Sequence, residues 1–527
     1  MGGSWQHVVV GLAVLAAVAW LVRRRMKKKG CDDCALAEAV RKQPVRTAAD
    51  PSGAAGKGGP SSGTGGAGTD VTRALVPLLA GLAALAAGGQ ARAAEPPHNL
   101  LLIVVDTLRW DHVGAYGHPH DPLPAAAALA ARGVQFERAY STAPWTKSSV
   151  ASLLTGLYPS AHGVKNLNES LPASVTTLAE VLAERGYRRS GVVSNLLLGE
   201  GGQNGFGQGF ERYEESSAAG GHNSVSSEVV TAQALQLLST YARGEDPFFL
   251  FVLYFDPHYN WVEHPELGRS SPEGTGTLRG TPHIRELTAR RDQLTAEEID
   301  YLRDLYDGEI AYADRAIRQL LAGLEANGLA DDTIVMLTAD HGEEFRERGW
   351  IGHTRTLYEE LLRVPLVVAG PGVPAGRLVR DPVSLVATAP TVLELMGLDG
   401  AGLSFQEPSF AGLVRGEGGA PALAFGEVDF DPVNPRNEDK RAHKKTIVVG
   451  NWKLVRDDPT GTLELYDLTA DPAERSDLSR ERPDLRDRLL ALLEEREAGA
   501  RSTAAVAETR ELTEEELERL RGLGYVQ

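Results

Sequence analysis

Three residues of the chain pair a chemically useful type with a useful position. Asp106 closes the apolar run 100–106, and Asp340 with His341 closes a second run, 333–340. Hard or borderline divalent cations are held by carboxylate oxygens with an occasional imidazole, and two strand ends of one sheet bring such groups together. A lone strand-end aspartate is more often a helix cap than a ligand. Two of them, one with an adjacent histidine, reverse that preference. Between them lies the segment 143–156, Ala-Pro-Trp-Thr-Lys-Ser-Ser-Val-Ala-Ser-Leu-Leu-Thr-Gly. Its pattern predicts a helix N-terminus with Thr146 as cap and the first turns from Ser149. A hydroxyl at a helix N-terminus beside a metal is where an attacking alkoxide and a bound oxyanion are both stabilised.

The elements that must hold these residues follow an α/β pattern from Asn99 onward. Apolar runs at 100–106, 191–195, 247–256, 333–340 and 364–369 predict buried strands, and helical patterns such as 177–185 and 299–324 separate them. Strands alternating with helices imply a large, mostly parallel sheet covered by helices on both faces. In such sheets the chemistry gathers at the carboxyl ends of the strands. Asp106, Asn195, Asp256 and Asp340 all fall there. After about residue 420 the pattern changes to strand signals at 446–456 and 462–468, which predict a small C-terminal antiparallel subdomain followed by charged helices. The expected organisation is a catalytic domain over 95–420 and a subdomain with a helical tail over 421–527.

Residues 1–94 read differently. They carry 12 Lys/Arg against 5 Asp/Glu, whereas the remainder carries 42 against 66 within a chain of net charge −17. An acidic body without clustered cations argues against nucleic acid as a partner. The apolar run 7–22, followed at once by Arg23, Arg24, Arg25, Lys27, Lys28 and Lys29, predicts a membrane segment over 1–30 with a cytosolic basic flank. Residues 31–70 form a Gly/Ser/Pro-rich linker containing Cys31 and Cys34, the only two cysteines. Residues 71–94 hold a second apolar run with Arg73 before it and Ala91-Arg92-Ala93 after it, the order of a secretory signal. Either a second membrane segment or a cleaved signal places the body outside the cytosol, so the expected location is the cell membrane with an extracytoplasmic catalytic domain.

The frame T-x-S-S-x-x-S-L-L-T-G over 146–156, with P-x-x-H-G over 159–163, resembles the signature C-x-P-S-R-x-x-L-L-T-G of the sulfatases, in the alkaline phosphatase superfamily. The resemblance extends to Asp106-Thr-Leu-Arg109-x-Asp111-His112, Tyr306-Asp307-Gly308-Glu309 and Asp340-His341-Gly342-Glu343. It continues through Leu357-Tyr358-Glu359-Glu360, Asp471-Pro472-x-Glu474 and the tail Leu523-Gly524-Tyr525. Thr146 stands where sulfatases carry the Cys or Ser that becomes formylglycine, so an aldehyde-hydrate nucleophile is ruled out at that position. Val150 replaces the signature arginine, and Thr107 and His341 replace two metal-ligating residues of sulfatases. These departures resemble the phosphoryl-type members, such as lipoteichoic-acid synthases, phosphoethanolamine transferases and phosphodiesterases, which use an unmodified Thr and an Asp-His metal pair. Two-zinc members carry an Asp with His four residues on, whereas Asp256 is followed at that spacing by Asn260.

The resemblance thus implies one divalent metal (Mn, Zn, Ca or Mg) on Asp106, Thr146, Asp340 and His341, with a second left open by the unassigned His264 and His443. It implies Thr146 as nucleophile and His258 and His353 as groups that meet the ester or its leaving oxygen. Lys147, Ser149 and Asn195 are the expected substrate contacts. The expected activity is metal-dependent hydrolysis of a phosphate or sulfate ester on a small molecule, lipid or glycan. The rivals are a phosphoryl transferase acting on an envelope lipid or glycan, and a binding module with an inactive site.

Overall fold

The computed structural model describes residues 99–199, 204–215, 226–267, 275–419, 423–433, 435–502, 504–522 and 525–526. Everything predicted for residues 1–94 lies outside the described residues. Among the described residues no helix is long and apolar enough to cross a membrane.

The main sheet is built from β1 (Asn99–Val105), β2 (Gly133–Tyr140), β3 (Arg188–Val193), β4 (Arg212–Glu214), β5 (Phe248–Tyr254), β6 (Thr333–Ala339), β7 (Arg363–Ala369), β8 (Arg377–Val379) and β9 (Val383–Ser384). Their order is β8-β2-β7-β6-β1-β5-β3-β4, with β9 beside β2. Only β7 opposes its neighbours; the other pairs are parallel. Every residue of β1, β5, β6 and β7 is buried, which a strand achieves only with both faces covered. The predicted mostly parallel sheet is therefore present.

Five helices matter for the site: α1 (Thr146–Thr155), α2 (Leu178–Ala183), α3 (Ser227–Tyr241), α4 (Ala296–Ala326) and α5 (Thr388–Leu395). Two begin at capping boxes. Thr177 with Glu180 starts α2, and Thr295 with Glu298 starts α4, each pair exchanging side-chain and backbone hydrogen bonds. Along α4, Ile299, Leu302, Tyr306, Ile310, Ala313, Ile317, Leu320 and Leu324 are buried, the spacing of one helical face.

The C-terminal sheet has four antiparallel strands, β10 (Leu423–Phe430), β11 (Ala442–Val449), β12 (Trp452–Asp457) and β13 (Thr462–Asp467), in sequence order. Strand β10 was absent from the sequence reading, because Gly426, Glu427 and Asp429 interrupt its apolar alternation. This sheet is not a separate unit. Pro96–Gln527 falls in one compact unit, and Ile447, Leu454 and Leu465 share a core with Tyr158, Val386 and the helix α6 (Pro483–Ser502). A buried ion cluster adds a polar clamp, in which Lys453 Nζ lies 3.1 Å from Glu359 and 2.9 Å from Glu474.

Register positions the site. Val105 pairs with Ala339 on one side and Tyr254 on the other, so the next residues, Asp106 and Asp340, leave adjacent central strands together.

Candidate active site

Asp106, Thr146, Asp340 and His341 converge at these strand ends, all without solvent exposure. The Thr146 hydroxyl lies 3.4 Å from Asp106 Oδ1, to which it donates, and 3.3 Å from His341 Nε2. His341 Nε2 is 3.4 Å from Asp340 Oδ2 and 3.8 Å from Asp106 Oδ1. Asn195, just past β3, donates to Asp106 Oδ2 at 2.5 Å and approaches Thr146 Oγ1 at 3.4 Å, while its Oδ1 accepts from Leu197 N. It both faces the cluster and ties down the backbone. Thr146 is the first residue of α1, with Trp145 in the cap position, rather than the cap itself. Its hydroxyl still sits at the positive end of a helix buried over its whole length.

The loop that carries Asp106 is held under strain. Thr107 has φ +56, costly for a β-branched residue. Its N–H donates to Asp340 Oδ1 at 3.1 Å, and its carbonyl accepts from the Tyr306 hydroxyl at 2.6 Å. The same hydroxyl accepts from Arg109 N.

A second group of side chains gathers beside the His341 ring. His353 Nδ1 pairs with Glu343 Oε1 at 2.9 Å, and its Nε2 lies 2.8 Å from the Tyr525 hydroxyl and 3.4 Å from that of Tyr259. His258 Nδ1 is held by its neighbour's carbonyl, Tyr259 O, at 2.7 Å, and its Nε2 is 3.5 Å from the Tyr525 hydroxyl. The ring centroids of His341 and His353 are 4.6 Å apart, and those of His258 and His353 5.0 Å.

The electrostatics call for a cation. Burial, and then the charge of Asp340, push the Asp106 carboxyl well above the ordinary carboxylate range. Burial also raises Asp340 and lowers the His341 imidazole. Asp340 Oδ2 accepts no hydrogen bond among the described residues. Asp106, Asp340 and His341 each offer a ligand atom within 4.8 Å of the others. Two buried carboxylates facing one another, an orphaned oxygen and an imidazole fit one divalent ion, whose charge reverses the cost of burying the pair.

Two expected substrate contacts point elsewhere. Lys147 Nζ donates to Leu167 O and Asn204 Oδ1 inside the protein. Ser149 Oγ turns back onto Trp145 O and Thr146 O within its own helix. Asp256, placed correctly at its strand end, accepts from the backbone of Ser226 and Ser227 and so caps α3. The two unassigned histidines are likewise engaged apart from this cluster, His264 with Glu266 and Glu309, and His443 with Asp429 and Asp431. Glu343 and Tyr525 were quoted as part of the resemblance but given no role, because only the folded chain brings them to His353.

Comparison with known proteins decides the family. The sulfatase family profile matches residues 98–398, and the profile of the N-sulphoglucosamine sulphohydrolase C-terminal region matches 346–498. The chain belongs to the sulfatase family. The choline-sulfatase of Rhizobium meliloti (strain 1021) is 26% identical over 444 residues, covering 72% of this chain and 82% of that protein. Among solved structures, the phosphonate monoester hydrolase of Agrobacterium radiobacter superposes with TM-score 0.63 at 23% identity, covering 80% of this chain and 99% of that one. The protein BT4656, solved with its substrate D-glucosamine-2-N,6-O-disulfate, gives TM-score 0.61 at 20% identity, with coverages of 77% and 99%. These structures share the fold. As a member of the sulfatase family, the chain is an ester hydrolase.

Proposed function

We propose that this sulfatase-family enzyme hydrolyses a phosphate or sulfate ester through a covalent intermediate on Thr146, with phosphoryl chemistry ahead of sulfuryl. The observation that carries the reading is the Thr146 hydroxyl, at the start of α1 and within reach of both Asp106 Oδ1 and His341 Nε2. A divalent ion held by Asp106, Asp340 and His341 would supply positive charge that lowers the pKa of that hydroxyl and offsets charge on the ester.

The chain's own residues do the rest. Thr146 Oγ, its proton released to solvent, attacks the phosphorus or sulfur, and the bond to the leaving alcohol breaks on the opposite side. The leaving oxygen takes a proton from His353 or His258, whose Nε2 atoms both approach the Tyr525 hydroxyl. Asn195 holds the Asp106 carboxylate and the Thr146 hydroxyl in one geometry. Water then cleaves the threonyl ester, returning a proton to Thr146 and releasing phosphate or sulfate.

The relatives support small-molecule or glycan sulfate esters as substrates, since one is a choline-sulfatase and another was solved with a disulfated glucosamine. The identity of Thr146 and the phosphonate monoester hydrolase neighbour support a phosphoryl-type ester. Paired aryl phosphate, phosphodiester and sulfate assays across Mn, Zn, Mg and Ca separate the two. Acid quenching with a labelled substrate should trap label on Thr146 in the wild type and none in Thr146→Ala, which should not turn over. Full activity in Thr146→Ala would overturn the mechanism, and a clear preference for sulfate would overturn the ordering.

A further inference from the structure

Away from the site, the loop after β1 brings His112 and His118 against Asp307 of α4. His112 Nδ1 lies 2.7 Å from Asp307 Oδ1, and His118 Nε2 lies 3.4 Å from Asp307 Oδ2. The two imidazoles are stacked, with centroids 5.1 Å apart. Each of the three residues offers a ligand atom within 4.8 Å of the others.

A buried histidine beside an aspartate is ordinarily a hydrogen-bonded pair, and His112 with Asp307 alone would be one. His118 does not fit that description. Its side chain is only 13% exposed, its Nδ1 has no hydrogen-bond partner among the described residues, and its Nε2 is too far from Asp307 for a good hydrogen bond. An imidazole held against a carboxylate at this distance, with Nε2 turned to Asp307 and Nδ1 unpartnered, presents Nε2 as a ligand atom. Access is open, because Gly117, Pro119 and His120 are exposed.

We propose that His112, His118 and Asp307 bind a second divalent ion, distinct from the one at Asp106 and Asp340, with solvent supplying the remaining position. Two imidazoles and one carboxylate select a zinc-type transition ion over Mg or Ca. The ion would fasten the loop to α4 immediately behind the site, since Tyr306, beside Asp307, hydrogen-bonds Thr107 O and Arg109 N.

The test uses the full chain with Cys31→Ser and Cys34→Ser, so that thiolates do not contribute, stripped with chelator and dialysed against Zn²⁺. His118→Ala should bind about one equivalent less than its parent, as should the isosteric Asp307→Asn. Asp340→Asn should lose a different equivalent, and the His118→Ala, Asp340→Asn double variant both. With Co²⁺, the visible absorption of the parent should fall in His118→Ala. Unchanged zinc stoichiometry in both His118→Ala and Asp307→Asn would overturn the proposal, and so would a lowered melting temperature in His118→Ala with its full complement of metal, the signature of a hydrogen-bonded cluster only.

Discussion

The phenolic hydroxyl of Tyr525 lies 2.8 Å from Nε2 of His353. Burial, and then the charge of Asp106, push this phenol well above its usual range, so it keeps its proton and can donate to an ester oxygen placed beside it. Tyr525→Phe preserves the buried ring. It should lower kcat roughly ten-fold, the worth of about one hydrogen bond. Steady-state kinetics check this, and an unchanged kcat would reduce Tyr525 to a packing residue.

Asp340→Asn should separate metal binding from folding. The retained oxygen can still accept from Thr107 N and His341 N, as Oδ1 does now, but the carboxylate charge is gone. Affinity for the divalent ion should fall by more than the roughly 10- to 100-fold lost with an outer-shell partner. Calorimetric titration of chelator-treated protein measures it, and circular dichroism should be unchanged.

Lys147→Met should harm stability and spare substrate affinity. The substitution removes the buried ammonium that now donates to Leu167 O and Asn204 Oδ1. Unfolding free energy should drop by roughly 1–3 kcal/mol, the cost of losing these buried hydrogen bonds. Urea denaturation reads the loss. A raised KM with unchanged stability would return Lys147 to the substrate.

Glu309 should make stability fall as pH rises. Its carboxyl is pushed up from 4.5 to about 7, chiefly by burial, and His264 beside it is raised as well by Glu309 against the opposing effect of burial. The folded state therefore holds protons that the unfolded chain has released. The Glu309 contribution is fully present below about pH 4.5 and is lost as pH climbs through 7. At about 1.4 kcal/mol per unit, the change amounts to roughly 3 kcal/mol. Denaturant melts at pH 5 and pH 8 should show it in the wild type and a flatter response in Glu309→Gln.

What could be read beforehand follows physical lines. Parallel strands collect their carboxyl ends on one edge, so Asp106, Asn195, Asp256 and Asp340 could be placed there from apolar runs alone. Their roles could not all be told apart: Asp256 caps α3, while Asp106 faces Thr146. Within α1, each residue turns about 100° from the last, so the neighbour of Thr146 points into the core instead of the site. The helix-length pattern located α4 to within three residues at each end, because its buried face repeats over 31 residues. Tyr525 and Glu343 gave no periodic signal, since their meeting at His353 exists only through long-range contacts. Glu359 and Glu474, quoted for the resemblance, clamp Lys453 and so serve architecture rather than catalysis.

The pairing of Val105 with Ala339 has a consequence for quality control of the molecule. Asp106 and Asp340 become neighbours only in that alignment of β1 and β6. A slip of one residue would still bury an apolar strand, yet it would turn one carboxylate to the opposite face of the sheet. An ion held by these two carboxylates would therefore report whether the two central strands have paired correctly, and a misaligned chain would fail to hold that ion.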